Sequence, residues 1–367
     1  MNHEHYMRRC IELAAKGLGS AAPNPLVGCV IVHDSKIIGE GYHAIYGQHH
    51  AEVNAINSVK DKNLLEKSTM YVTLEPCSHF GKTPPCSDLI IRHKIPEVII
   101  GNIDPFTKVD GRGIKRLTQS GIKVTTGVLK KECRFMNRRF LVFHEEKRPY
   151  IILKWAQSKD NFIAPSVKSY VKTQRIAEQK THKISRMTGK DIKEKIHWIS
   201  NEYSRMLSHK WRSEEASVLV GTTTAEKDNP ELTVRNWSGK NPVRLVIDKN
   251  LRLKSSLHLF DQKVKTIIYT SKSKNSSENL EFVTIIFNDN VLKQLVDHLY
   301  KENIQSLIIE GGTHLLQSFI ENKLWDEARV FTGDSVLNDG VKAPAISGEI
   351  FTNEKIGSDE LTVFLPK

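Results

Sequence analysis

Long apolar runs are absent: the longest are strand-sized, such as Val27 to Val32, and none approaches the ~18 residues a membrane span needs. The start, Met1 to Arg9, carries His, Glu and Arg with no apolar block after it, so a secretory leader is not expected and the cytoplasm is. Cysteine is scarce, five in 367 residues and an odd number, which argues against a disulfide framework and for metal binding in a reducing compartment. Aromatics make up only 7%, with no interleaved stacking run of the kind single-stranded nucleic-acid binders use. Nor does a Gly-x-Gly-x-x-Gly follow any strand pattern: Gly111-Arg112-Gly113 lacks the third glycine, so the standard dinucleotide fingerprint is missing.

What is present is enough apolar residue, 39%, for more than one core, and a net charge of +12. The charge is uneven. Ser166 to Lys195 holds nine basic residues against three acidic, half of the whole excess, in a stretch poor in large apolar residues. It reads as a solvated insertion, with a lid over an anionic substrate as the sharper alternative.

Helical spacing from His5 to Leu18 is followed by a hairpin pattern, Val27–Val32 with Ile37–Tyr42. Helices at His50–Lys60 and Pro85–His93 then alternate with strands at Met70–Leu74 and Glu97–Gly101. The run Glu145 to Pro149 breaks the pattern, and domains are expected at 1–146 and 149–367. The second half has strand patterns at Tyr150–Trp155, Ser217–Gly221, Val243–Asp248, Lys265–Thr270, Val283–Phe287 and Ser306–Glu310. A helix pattern covers Val291–Glu302, and another starts at His314 after Gly311-Gly312. Strand–helix alternation of this kind predicts an α/β fold with a mostly parallel sheet.

The chemical signal lies in the first half. His50-Ala51-Glu52 opens one helix, and Glu75-Pro76-Cys77 with Pro84-Pro85-Cys86 precedes another. His50, Cys77 and Cys86 would leave a zinc ion one open position for water, the mark of a catalytic rather than a structural site. Glu52, two residues past the histidine, can reach that water and move protons without binding the metal. His50 and Cys86 are both expected at helix N-termini, where the dipole favours thiolate and disfavours imidazolium. Cys10, Cys29 and Cys133 read as small core residues.

His-x-Glu with Pro-Cys is the signature of zinc-dependent nucleobase and nucleoside deaminases. The longer stretch Cys77-Ser-His79-Phe-Gly-Lys82-Thr-Pro-Pro-Cys86, together with Pro23-Asn24-Pro25-Leu26-Val27-Gly28, Asp104-Pro105 and Gly111-Arg-Gly113, resembles the deaminase half of the bifunctional riboflavin-biosynthesis deaminase/reductase family. Several second-half motifs resemble that family's reductase half, in order. They are Lys154-Trp-Ala156-Gln-Ser158-Lys-Asp160, His197-Trp198, Arg212, Gly221-Thr-Thr-Thr224 with Asp228 to Arg235, and Glu310-Gly-Gly312.

The resemblance implies a cytidine-deaminase-like three-layer α/β domain joined to a dihydrofolate-reductase-like α/β domain, using Zn2+ and NADPH. Its substrate is a diaminopyrimidinone carrying a phosphoribosylamino group, contacted by Asn24, His79, Lys82 and Asp104. NADPH contacts map to Ala156, Trp198, Thr224, Asp228 and the stretch Gly312, Thr313, His314, Leu315, Leu316, Gln317 and Ser318. Ribose-phosphate contacts map to Arg212, Leu232, Arg235 and Glu310, with Lys154 beside them. A homo-oligomer acting on this small molecule is implied, with no nucleic-acid or membrane partner. Asn161 stands where the family usually has glycine, and Ile196 where it usually has a polar residue. A competing reading, from the charge and the insertion, is a nucleic-acid-editing zinc deaminase with a basic RNA-binding C-terminal domain.

Overall fold

The computed structural model describes residues 2–80, 84–105, 111–166 and 199–367, so Lys82, Ile196, Trp198 and nearly all of the basic insertion lie outside the described residues. The chain forms two compact units: Met1–Tyr150 with Val296–Gln305, and Ile151–Leu295 with Ser306–Lys367. No helix among the described residues is long and apolar enough to cross a membrane.

The first unit runs α1 (His3–Ala15), β1 (Gly28–His33), β2 (Lys36–Tyr42), α2 (Ala51–Ser58), β3 (Thr69–Leu74), α3 (Cys86–Arg92), β4 (Glu97–Asn102), α4 (Arg112–Gln119), β5 (Lys123–Thr126), α5 (Lys130–Met136) and α6 (Arg138–Glu146). Its sheet has the order β2-β1-β3-β4-β5, with β1 antiparallel to both neighbours and β3, β4 and β5 parallel.

Alternation along the strands divides the core into two layers. Cys29, Ile31, Met70, Val72, Val98 and Ile100 pack with residues of α2, α3 and α4 on one face. Val30, Val32, Tyr71 and Ile99 pack with Tyr6, Met7, Cys10 and Leu13 of α1 and Cys133 of α5 on the other. Successive strand residues point to opposite faces, so a sheet buried on both sides reads as unbroken apolar runs, and three layers result. Cys10, Cys29 and Cys133 are fully buried, as expected for core residues.

The remaining elements, which belong to the second unit apart from Tyr150 and residues 296–301, are β6 (Tyr150–Gln157), β7 (Phe162–Pro165), α7 (Glu202–Glu214), β8 (Ser217–Gly221), α8 (Thr222–Asp228), β9 (Val243–Ile247), β10 (Thr266–Thr270), β11 (Leu280–Thr284), α9 (Val291–Lys301), β12 (Ser306–Gly311), α10 (Thr313–Glu321), β13 (Glu327–Thr332), β14 (Gly340–Lys342), β15 (Glu349–Ile356) and β16 (Asp359–Leu365). The large sheet is ordered β11-β10-β9-β8-β12-β6-β13-β16-β15. It is parallel from β11 to β12 and between β6 and β13, and the strands beyond β13 run antiparallel.

One strand is displaced from its sequence pattern: β11 covers Leu280–Thr284 rather than Val283–Phe287. Leu280 pairs with Thr266, and the chain leaves the sheet once the Ile285 N–H has bonded to the Thr270 carbonyl. The apolar Ile286 that made the later window attractive is 69% exposed.

Candidate active site

In the first unit the chemistry-bearing residues gather at the carboxyl ends of the parallel strands, where open α/β sheets place ligands. Glu75 and Cys77 follow β3, Asp104 follows β4, His50 is the residue that caps α2, and Cys86 is the first residue of α3. The helix N-termini expected beneath His50 and Cys86 are there.

The donor atoms of His50, Cys77 and Cys86 all lie within 4.8 Å of one another. His50 Nδ1 is 3.6 Å from the Cys77 sulfur and 3.3 Å from the Cys86 sulfur. Zinc bonds of ~2.0–2.3 Å in tetrahedral array call for ligand spacings near these, and a nitrogen–sulfur–sulfur set suits zinc by its chemistry. The three groups share protons, and the mutual hydrogen bonds outweigh the helix-dipole effect expected at His50 and Cys86. Hydrogen bonding from the Cys86 thiol and from His50 holds Cys77 down at about 4, the bond to Cys77 holds His50 up at about 9, and Cys86 is pushed up by Cys77 and by burial. The Cys86 backbone N–H donates to the Cys77 sulfur at 3.3 Å.

Glu52, on the first turn of α2, is 3% exposed, and burial pushes its carboxyl up. It lines a cavity of about 420 Å³ shared with Asn24, His43, His50, Cys77, His79 and Asp104. The side chains expected from the motifs, Lys82 and the buried Cys86 apart, therefore line one cavity.

His43 was not singled out in the sequence. Its Nδ1 faces the His49 carbonyl at 3.0 Å, which can only accept, so Nδ1 carries the proton. Burial keeps the ring neutral by holding its pKa low, which makes Nε2 the acceptor for the Asn24 amide at 3.0 Å. That bond leaves the Asn24 carbonyl oxygen for a ligand. No spacing rule could flag His43, because it matters only through contacts made by folding. Glu75, beside the Pro-Cys motif, turns out to be spent on backbone N–H groups.

In the second unit the expected residues fall into separate groups. Arg212 and Glu310, 98 positions apart, form a two-pronged ion pair at 2.6 Å on both prongs, with side chains 12% and 9% exposed. Burial alone would raise the Glu310 carboxyl, but Arg212, aided by Lys154, holds it at about 2. Burial lowers the Lys154 ammonium against the opposing pull of Glu310. Lys154 and Ala156 share one face of β6 by alternation. Arg235 is instead engaged with Glu231 at 2.7 Å and is 48% exposed, and Leu232 is buried at 1% with its backbone at φ +53°.

Gly312 has φ +76°, and a Cβ there would meet Thr224 Oγ1 at 3.2 Å. Gly311, Gly312 and Thr224 thus bring bare backbone to the start of α10, a cradle in which phosphate oxygens can approach N–H groups. Not all of the 312–318 stretch faces it. Leu316 is fully buried, the Ser318 hydroxyl donates to the His314 carbonyl, and Gln317 accepts from the Ala345 N–H. The helical period turns these side chains away after the first residues, so a contact from Leu316 would need its backbone. Asp228 ends α8, where burial pushes its carboxyl up.

Asn161 explains itself: its φ is +64°, a left-handed conformation that asparagine tolerates best after glycine. Gln157 donates to its side-chain oxygen at 2.9 Å. The departure from the family's glycine therefore preserves the backbone turn.

Sites of this make-up, on these two folds, define a zinc-dependent deaminase joined to an NADPH-dependent reductase. Residues 149–358 match the RibD C-terminal domain family, and residues 1–102 match the cytidine and deoxycytidylate deaminase zinc-binding region. The chain belongs to the family of bifunctional riboflavin-biosynthesis deaminase/reductases. The riboflavin biosynthesis protein RibD of Aquifex aeolicus is 36% identical over 92% of this chain and 88% of its own. The Bacillus amyloliquefaciens protein of the same name is 35% identical over 96% and 90%. A crystal structure from Thermotoga maritima, described as a diaminohydroxyphosphoribosylaminopyrimidine deaminase/5-amino-6-(5-phosphoribosylamino)uracil reductase, superposes with TM-score 0.82 at 32% identity. It covers 100% of this chain and 99% of that one. A reductase family over the second half, in place of an RNA-binding module, sets aside the nucleic-acid-editing alternative.

Proposed function

We propose that residues 1–146 deaminate 2,5-diamino-6-(5-phosphoribosylamino)pyrimidin-4(3H)-one and that residues 149–367 reduce the ribosyl side chain of the product to ribityl. The observation that carries the reading is the clustering of the His50, Cys77 and Cys86 donors at a cavity that His50, Cys77 and the buried Glu52 line.

His50, Cys77 and Cys86 would hold zinc, which supplies a Lewis acid able to make water nucleophilic near neutral pH. Glu52 takes the proton from the attacking water and delivers it to the exocyclic nitrogen, so that ammonia leaves and oxygen takes its place on the ring. A carboxyl whose pKa is raised by burial suits both halves of that transfer. Asn24, held by His43, presents its carbonyl oxygen to the pyrimidine edge, while His79, Lys82 and Asp104 complete the substrate contacts.

In the second domain NADPH supplies the hydride. Thr224 and the Gly312 backbone, with Ala156, Trp198, Asp228 and the start of α10, would hold it. Arg212, Lys154 and Arg235 would supply the positive charge for the substrate phosphate; the Arg212 fork is held by Glu310, so Lys154 and the exposed Arg235 are the cations left to pair with it directly. The chain's own partner is this small phosphorylated pyrimidine rather than nucleic acid, and the active form is a homo-oligomer in the cytoplasm.

Metal removal tests the reading. Dialysis against a chelator should abolish ammonia release, zinc should restore it, and NADPH oxidation on already deaminated substrate should be unaffected throughout. Loss of both activities on chelation would contradict two independent sites.

A further inference from the structure

We propose that Glu75 is a positioning residue of the deaminase that acts through Asp104. Its carboxylate is 4% exposed and accepts four backbone N–H groups. Oε1 accepts from Gly113 at 2.9 Å and Ile114 at 3.2 Å, and Oε2 from Gly111 at 3.0 Å and Asp104 at 3.4 Å. With its oxygens occupied in this way, Glu75 is not the group that moves protons, although it lies nearer to Cys77 in sequence than Glu52 does.

The arrangement ties two parts of the cavity wall together. Glu75 stands at the end of β3, two residues before Cys77, and its backbone N–H bonds to the Asn102 carbonyl at the end of β4 at 2.9 Å. Its side chain then holds Asp104, a buried residue lining the cavity, and the first turn of α4. Gly113 makes the approach close: a Cβ there would fall 2.1 Å from the Pro76 carbonyl oxygen and 3.1 Å from Glu75 Oε1. An anionic acceptor at the start of α4 also suits the helix dipole. Asp104 is thereby tied through its backbone N–H to a carboxylate that stands two residues before Cys77.

A glutamine at position 75 keeps the shape but replaces one acceptor oxygen with an NH2 facing two donors, so at least two of the four bonds are lost. Resting on the deaminase reading above, the inference predicts that Glu75→Gln raises the deaminase KM about tenfold, the loss expected from one or two such bonds. kcat and zinc content per chain stay at the parent values.

The deciding measurement is a double-variant cycle. Asp104→Asn alone should raise KM, and adding it to Glu75→Gln should raise KM no further. Multiplicative effects, an Asp104→Asn enzyme with parental KM, or zinc loss as the main consequence of Glu75→Gln would each overturn the proposal. The parent enzyme is assayed alongside, so failure of the deaminase reading shows in the parent and failure of this inference only in the variants.

Discussion

Glu52→Gln will stop ammonia release, by about 10³-fold in kcat, while leaving reduction of the deaminated substrate intact. The substitution keeps volume and removes only the ability to take and return a proton. Glu52 is almost fully buried, so no bulk base can substitute for it at the same distance. Zinc content should match the parent, because Glu52 is not among the three donors that cluster. The measurement is ammonia release without NADPH, followed by NADPH oxidation on supplied deaminated substrate. A variant retaining a tenth or more of the parental rate would remove Glu52 from the proton-transfer role.

Glu310→Gln carries the largest expected effect on stability. Removing one partner of a buried ion pair leaves the other charge uncompensated, and such losses run to about 3–5 kcal/mol. Arg212 would remain buried with Lys154 nearby and no carboxylate between them. For a domain of this size the unfolding midpoint should fall by about 10 °C, read by calorimetry. The double change Arg212→Met with Glu310→Leu should lie closer to the parent than either single change, since both desolvated charges go together.

The pair also fixes a pH response. The Glu310 carboxyl sits at about 2 in the folded chain and near ~4.3 when unfolded, so its stabilisation is complete above the unfolded value and is lost as pH falls through the folded one. The Glu310→Gln variant should lack that part of the acid transition. An unchanged midpoint in Glu310→Gln would mean the pair contributes nothing to folding.

The sequence was legible where periodicity or a dense motif carried the signal. Strand β8 follows its pattern residue for residue, and the Cys29/Ile31 and Val30/Val32 alternation on β1 reads directly as a sheet buried on both faces. The His50, Cys77 and Cys86 set was legible because zinc ligation calls for those residue types together, and Glu52 because proton transfer calls for a carboxylate beside them. What escaped depends on long-range contact. Nothing local marks His43 as the partner of Asn24, Glu75 as the acceptor for N–H groups up to 39 positions away, or Arg212 as the partner of Glu310. Asn161 looked like a departure until its positive φ gave the reason. The β11 shift shows a strand's bounds set by its neighbour's register rather than by its own hydrophobicity.

One chain carries two chemically independent steps. The most direct test is a sequential assay of the zinc-loaded protein on the phosphoribosylated diaminopyrimidinone, withholding NADPH at first and then adding it. Ammonia should be released in full before any cofactor is present, and NADPH should then be consumed in proportion to the ammonia already released. NADPH consumption with no prior ammonia, or ammonia that appears only once NADPH is added, would contradict two independent steps.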